Sequence, residues 1–159
     1  MGRCKTGNLA KNWIFLPFSD RLISGVGGKF MVRICIVEDE MNIVEALHYL
    51  FQNEGWHVDV ISDGAEAVKT IANTLPSLVV LDYMLPSLSG LAVAQQIRAD
   101  SRLSDIPILM LSAKGQEKDK QQAELAGINK FMTKPFSNSE LLEQVKLLLE
   151  PSPSDNSST

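Results

Sequence analysis

The chain has 159 residues, 45% hydrophobic and 21% charged, an ordinary globular composition with room for one sizeable core. Its net charge of −4 hides a division: residues 1–30 carry five Lys/Arg against one Asp, and residues 31–159 carry ten against eighteen acids, an acidic body that argues against nonspecific nucleic-acid binding. Two cysteines, Cys4 and Cys35, give neither a disulfide framework nor a zinc spacing, and no apolar run approaches the ~18 residues that span a bilayer, so a cytoplasmic protein with no membrane partner is expected.

Residues 1–30 show no helical or strand period. Their apolar part, residues 13–18, is short, contains Pro17 and is followed by no small-residue cleavage pattern, which disfavours a secretory signal. Gly28-Lys29 is not a phosphate loop, because Ile23 stands where the first Gly is needed and Phe30 where Ser or Thr is needed. The segment reads as an extension, disordered or upstream of a true start at Met31, with the folded domain expected over residues 31–150.

The domain opens with a strand at 32–37 that runs into Glu38-Asp39-Glu40. Residues 42–54 place apolar side chains at 43, 44, 47, 50 and 51, the spacing of one helical face, and Gly55 stops that helix. A short strand at 58–61 leads through Ser62-Asp63-Gly64 into a helix at 65–72. The run Ser77-Leu78-Val79-Val80-Leu81-Asp82 is apolar and β-branched, and it ends on a carboxylate. Such a run between turn formers reads as a strand buried on both faces of a parallel sheet. A helix at 90–99, a strand at 106–111 ending on Ser112, a helix at 116–126 closed by Gly127 and a strand at 130–133 follow in order. After Lys134-Pro135, Ser137 caps a last helix with Leu141, Leu142, Val145, Leu148 and Leu149 on its buried side and Glu140 placed to complete a capping box. Residues 151–159 have the composition of a disordered tail. Five strands alternating with five helices specify an α/β fold, a doubly wound five-stranded parallel sheet with helices on both faces.

Parallel strands put their carboxyl ends on one edge, so Glu38, Asp39, Asp82, Ser112 and Lys134 meet in one cleft. Each has a plain alternative: an acid can cap a helix, Ser112 can belong to a turn and Lys134 can be a solvated charge. Together they are better read as a site. Clustered carboxylates repel unless a cation sits among them, and hard oxygen donors suit Mg²⁺. A lysine and a hydroxyl facing the same point supply what phosphoryl oxygens need.

The sequence resembles the receiver domain of two-component response regulators over about residues 31–150. The resemblance rests on Ile36-Val37-Glu38-Asp39-Glu40, on Leu81-Asp82-Tyr83-Met84-Leu85-Pro86 with Gly90, on Leu111-Ser112-Ala113 and on Phe131-Met132-Thr133-Lys134-Pro135-Phe136. It implies a flavodoxin-like strand order 2-1-3-4-5 and a cis Lys134-Pro135 bond. It implies that Asp82 accepts a phosphoryl group from a histidine kinase or histidine phosphotransfer protein. Glu38, Asp39, Asp82 and the Met84 backbone carbonyl would hold Mg²⁺, with Glu38 acting through water. Lys134 would pair with the phosphoryl oxygens, while Ser112 and Phe131 would form the switch that reshapes the surface around the fourth helix, fifth strand and fifth helix. Such a protein catalyses only its own phosphorylation and dephosphorylation. Met84 and Lys114 occupy the positions that flank the hydrolytic water in the family; neither orients water, so a long-lived phosphoryl group is expected.

A haloacid-dehalogenase-type enzyme uses similar parts, but its nucleophile lies on the first strand with a second Asp two residues on, where this chain has Met84. A flavin carrier needs a Ser/Thr/Gly loop after the first strand, and Glu-Asp-Glu there would repel the phosphate. An interaction module independent of phosphorylation remains the weaker reading. With no output unit recognisable after residue 150, the expectation is control of a separate protein target without direct nucleic-acid contact, with a phosphorelay shuttle or phosphate sink as alternatives. DNA-binding regulators of this family commonly pair through acids just before the aromatic switch residue. Asn129-Lys130 stands there instead, which predicts a monomer or weak dimer.

Overall fold

The computed structural model describes residues 31–113 and 115–150; the expectations for residues 1–30, for 151–159 and for Lys114 lie outside the described residues. Five strands, β1 (Arg33–Val37), β2 (His57–Ile61), β3 (Leu78–Asp82), β4 (Ile108–Ser112) and β5 (Lys130–Thr133), alternate with α1 (Met41–Asn53), α2 (Gly64–Thr74), α3 (Gly90–Ala99), α4 (Glu117–Leu125) and α5 (Asn138–Leu149). All pairings are parallel and the order is β2-β1-β3-β4-β5, the expected flavodoxin-like topology. β3 and β4 are buried along their whole length, as their uninterrupted apolar runs require.

Strand alternation divides the core in two. Ile34, Ile36, Leu78, Val80, Leu109, Leu111 and Met132 face α1 and α5, whereas Cys35, Val37, Val79, Leu81, Ile108 and Met110 face α2, α3 and α4. Val44, Leu47 and Phe51 are the buried stripe of α1, and Trp56 stacks obliquely on Phe51 with ring centroids 5.8 Å apart, which fixes the approach to β2. On α5, Leu141 and Val145 are buried while Leu142, Leu148 and Leu149 are only half covered. Ser137 Oγ accepts from the Glu140 amide at 3.1 Å, the half of the capping box that the structure shows. Burial pushes the Cys35 thiol up to about 12, with Asp59 adding to the effect, so Cys35 behaves as a small hydrophobe.

β4 begins two residues later than expected and includes Ser112. Pro107 has no N–H to donate, although its carbonyl still accepts from Val79 at 3.0 Å, and the Ile106 amide turns back to the Leu103 carbonyl. Arg98 at the end of α3 clamps this region. Its guanidinium donates to the carbonyls of Gly127, Ser104 and Ile106 and to Asn129 Oδ1, at 2.8 to 3.0 Å. Asn129 Oδ1 also accepts from the Ile108 amide at 2.8 Å, which ties β4 to the turn before β5.

Candidate functional site

The carboxyl edge of the sheet brings together every residue the sequence nominated there. Glu38 is 1% exposed, Asp82 4% and Ser112 fully buried, the polar members of an otherwise apolar interior. Glu38, Asp82 and Lys134 continue the alternation that faces α1 and α5. Ser112 pairs with Thr133, and Met110 with Phe131, in the register that faces α2, α3 and α4. The lysine and the hydroxyl therefore approach the end of β3 from opposite faces of the sheet. Phe131 is half-buried against the second of these faces. The Lys134-Pro135 bond is cis.

Lys134 Nζ lies 2.9 Å from Glu38 Oε2, 3.2 Å from Asp82 Oδ1 and 3.4 Å from Glu40 Oε1. Glu38 does not cap α1 through its side chain; its Oε1 accepts from the amides of Asp39 and Glu40, both at 3.1 Å, so both its oxygens are engaged. Oxygens of Glu38, Asp39 and Asp82 come within 4.8 Å of one another. The consequence is electrostatic. Burial raises the Asp82 carboxyl to about 6, and Glu38 and Asp39 push in the same direction against the opposing pull of Lys134. Burial alone would lower Lys134, but its bonds and charge contacts with Glu38 and Asp82 hold it above the usual lysine range, so it is a fixed cation. One ammonium beside two buried acids, Glu38 and Asp82, and the exposed Asp39 leaves negative charge unmatched, and the all-oxygen donor set fits a hard divalent cation. The Met84 carbonyl lies two residues beyond Asp82, and among the described residues no backbone amide donates to it.

Local backbone explains why the acceptor strand ends as it does. A Cβ on Gly90 would meet the Asp82 carbonyl oxygen, and the Gly90 amide donates to the Tyr83 carbonyl at 3.0 Å; only glycine lets α3 start this close to β3. Ser87 adopts φ 64°, and its hydroxyl donates to Asp63 Oδ2 at 2.7 Å while Asp63 Oδ1 caps α2 through the Ala65 amide. The Ser87 bond, then the Ala65 bond, hold the Asp63 carboxyl below its ordinary value. Sequence reasoning found Asp63 as a turn residue but not its grip on the loop after β3, since nothing in Pro86-Ser87 announces a partner 24 residues earlier. It also missed the Tyr83 hydroxyl, which donates to Gln122 Oε1 on α4 at 3.3 Å. Beside the acidic rim, Ile43, Leu47, Pro135 and Phe136 line a cleft of about 520 Å³ between α1 and the loop before α5.

The fold and this edge define a class: a doubly wound α/β domain that presents an acidic cluster, a lysine and a hydroxyl at the carboxyl ends of its strands. Residues 34–146 match the response regulator receiver domain family, and the chain belongs to it. It is 42% identical to the alkaline phosphatase synthesis transcriptional regulatory protein PhoP of Bacillus subtilis, over 76% of this chain and 49% of that protein. It is 37% identical to the phosphate regulon transcriptional regulatory protein PhoB of Rhizobium meliloti, over 74% of this chain and 52% of that protein. The chain thus spans about half the length of these curated relatives. Among solved structures it resembles the receiver domain of sensor histidine kinase PA1611 from Pseudomonas aeruginosa PAO1, with 26% identity, a TM-score of 0.70 and coverage of 76% of this chain and 98% of that one. That structure has a magnesium ion coordinated in its active site cleft.

Proposed function

We propose that the domain is a phosphoacceptor switch in which Asp82 takes a phosphoryl group from the phosphohistidine of a kinase or phosphotransfer protein. The observation that carries this reading is the Asp82 carboxylate, buried at the end of β3 with Lys134 Nζ 3.2 Å away and two further acids beside it. In the transfer, the phosphorus–nitrogen bond of the donor breaks with its electron pair returning to the imidazole. A bond forms from an Asp82 oxygen to phosphorus, leaving an aspartyl phosphate. Lys134 meets the phosphoryl oxygens with a fixed positive charge, and Ser112, on the opposite face, offers its hydroxyl to one of them. Glu38, Asp39, Asp82 and the Met84 carbonyl would hold Mg²⁺, which supplies the positive charge that lets an anionic phosphodonor approach an anionic nucleophile. Because both Glu38 oxygens already have partners, its contact with that ion would run through water. The PA1611 receiver, with its magnesium ion, supports the same assignment.

Phosphorylation biases a bistable surface. Ser112 and Phe131 lie on one side of the sheet, so a hydroxyl drawn toward the phosphoryl group frees room into which the half-buried ring moves, altering the face of α4, β5 and α5. The signal passes to a protein target that reads this face, and the acidic body keeps the domain itself off nucleic acid. The domain turns over no external substrate beyond its own phosphorylation and dephosphorylation, and it works in the cytoplasm. Among the described residues no helix is long and apolar enough to cross a membrane.

Incubation with acetyl phosphate and Mg²⁺, followed by intact-protein mass spectrometry, tests the reading. One added phosphoryl group is expected, absent when the cation is chelated. An unmodified mass under saturating donor and Mg²⁺ would overturn it.

A further inference from the structure

Met84 belongs to the loop 83–89, whose two ends are fixed by β4 and by the start of α3: the Tyr83 amide donates to the Leu111 carbonyl at 2.8 Å, and the Gly90 amide to the Tyr83 carbonyl at 3.0 Å. The middle of the loop has a separate anchor at the start of α2, an element that contributes no residue to the acidic cluster. Ser87 Oγ donates to Asp63 Oδ2 at 2.7 Å and the Gly64 amide to the Pro86 carbonyl at 3.4 Å. The Leu88 carbonyl oxygen fills the place that a Cβ on Gly64 would take. Asp63 thus starts α2 with one oxygen, through the Ala65 amide at 2.7 Å, and holds the loop with the other. The backbone at the held point is strained: Ser87 has φ 64°, a left-handed conformation that an L residue other than glycine keeps only when its surroundings enforce it. Because β1 lies between β2 and β3, a tie from the turn after β2 to the loop after β3 spans the end of β1, where Glu38 and Asp39 stand.

We propose that Asp63 and Ser87 are positioning residues for the metal: their bond holds the loop after β3 in the form from which the Met84 carbonyl is offered to Mg²⁺. The proposal rests on the assignment of that carbonyl as a ligand beside Glu38, Asp39 and Asp82, and neither Asp63 nor Ser87 supplies a ligand itself. Mg²⁺ dehydrates reluctantly and demands near-ideal octahedral geometry, so a backbone carbonyl serves it best when its loop is set in advance by partners outside the ligand shell. A loop released from Asp63 samples other settings of residues 84–88, and the cost of ordering it then falls on the binding of the cation.

Titration of the full chain with Mg²⁺, followed through the backbone amide resonances of residues 82–90, tests the positioning role, and denaturant unfolding of the same variants reads stability separately. Asp63→Ser keeps a hydroxyl to cap α2, but its single short oxygen cannot also reach Ser87. Ser87→Gly removes the hydroxyl and relieves the left-handed strain together, so its stability should stay close to that of the wild type. Both variants should raise the Mg²⁺ dissociation constant about threefold to tenfold, the ratio one hydrogen bond supports. Ser87→Asn tolerates the left-handed conformation and puts an amide donor within reach of Asp63, so it should recover the affinity to within twofold of the wild type. Ser87 is exposed, so its variants carry the test if Asp63→Ser folds poorly. Affinities of Asp63→Ser and Ser87→Gly within twofold of the wild type, or a loss in Ser87→Asn equal to that in Ser87→Gly, would overturn the positioning role and leave the acceptor assignment standing. Resonances of the wild type that do not respond to Mg²⁺ would overturn both the positioning role and the metal assignment.

Discussion

Asp82 combines two demands that pull against each other: it must be ionised to attack phosphorus, yet it is buried beside two acids. Its folded-state value of about 6 lies above the ordinary 3.8, so the folded chain holds a proton that the unfolded chain has released. Stability from this group is therefore complete below about pH 4 and is lost as pH rises through 6, by up to about 3 kcal/mol at neutrality. Asp82→Asn should raise the unfolding free energy at pH 7, by less at pH 5 and hardly at all at pH 4. Denaturant titrations at the three pH values check this, and a destabilised variant at pH 7 would contradict it. Mg²⁺ should likewise stabilise the wild type at pH 7 and lose that effect in Asp82→Asn. Met84 is 58% exposed beside the acceptor, and a thioether cannot orient an attacking water as an amide can. Met84→Asn should shorten the lifetime of the aspartyl phosphate severalfold, as read from the decay of the phosphorylated mass; an unaltered half-life would count against the role given to that position.

At the scale of elements, the order, type and approximate limits of all ten were legible because period and punctuation agreed: Gly55 and Gly127 end α1 and α4 in left-handed turns, and the apolar runs of β3 and β4 admit no other reading. The site was legible for a related reason, since parallel strands deliver their last residues to one edge wherever those residues lie in the chain. What the sequence concealed were long side chains acting across elements. Arg98 looks like any solvated arginine on an amphipathic helix, yet it binds three carbonyls and Asn129, and Tyr83 looks like an apolar loop residue until α4 is seen beside it. Arg98→Ala leaves those acceptors unmatched and should destabilise the domain by about 2–4 kcal/mol in denaturant unfolding, more than the usual surface substitution. A loss within the error of the measurement would mean the clamp is decorative.

At the scale of the molecule, Asn129 and Lys130 are both exposed; the Asn129 side-chain oxygen is taken by Ile108 and Arg98, and Lys130 puts a cation where the DNA-binding members of the family carry acids that pair across a dimer. Exposed ion pairs contribute only ~0.2–1 kcal/mol each, but a cation in place of an acid replaces attraction by repulsion. The chain in Mg²⁺ and beryllofluoride should sediment as a monomer, or a feeble dimer, at micromolar concentration; a tight dimer would show that the face assembles despite Lys130. The switch and its lifetime depend on where the phosphoryl group goes. The most direct measurement is borohydride reduction of the chain after treatment with acetyl phosphate and Mg²⁺, with peptide sequencing by mass spectrometry, because hydride converts an aspartyl phosphate to homoserine and marks the residue that carried it. Homoserine at position 82 and nowhere else is the predicted result. Reduction at Asp39 or another acid, or phosphorylation that survives in Asp82→Asn at the wild-type level, would contradict the account.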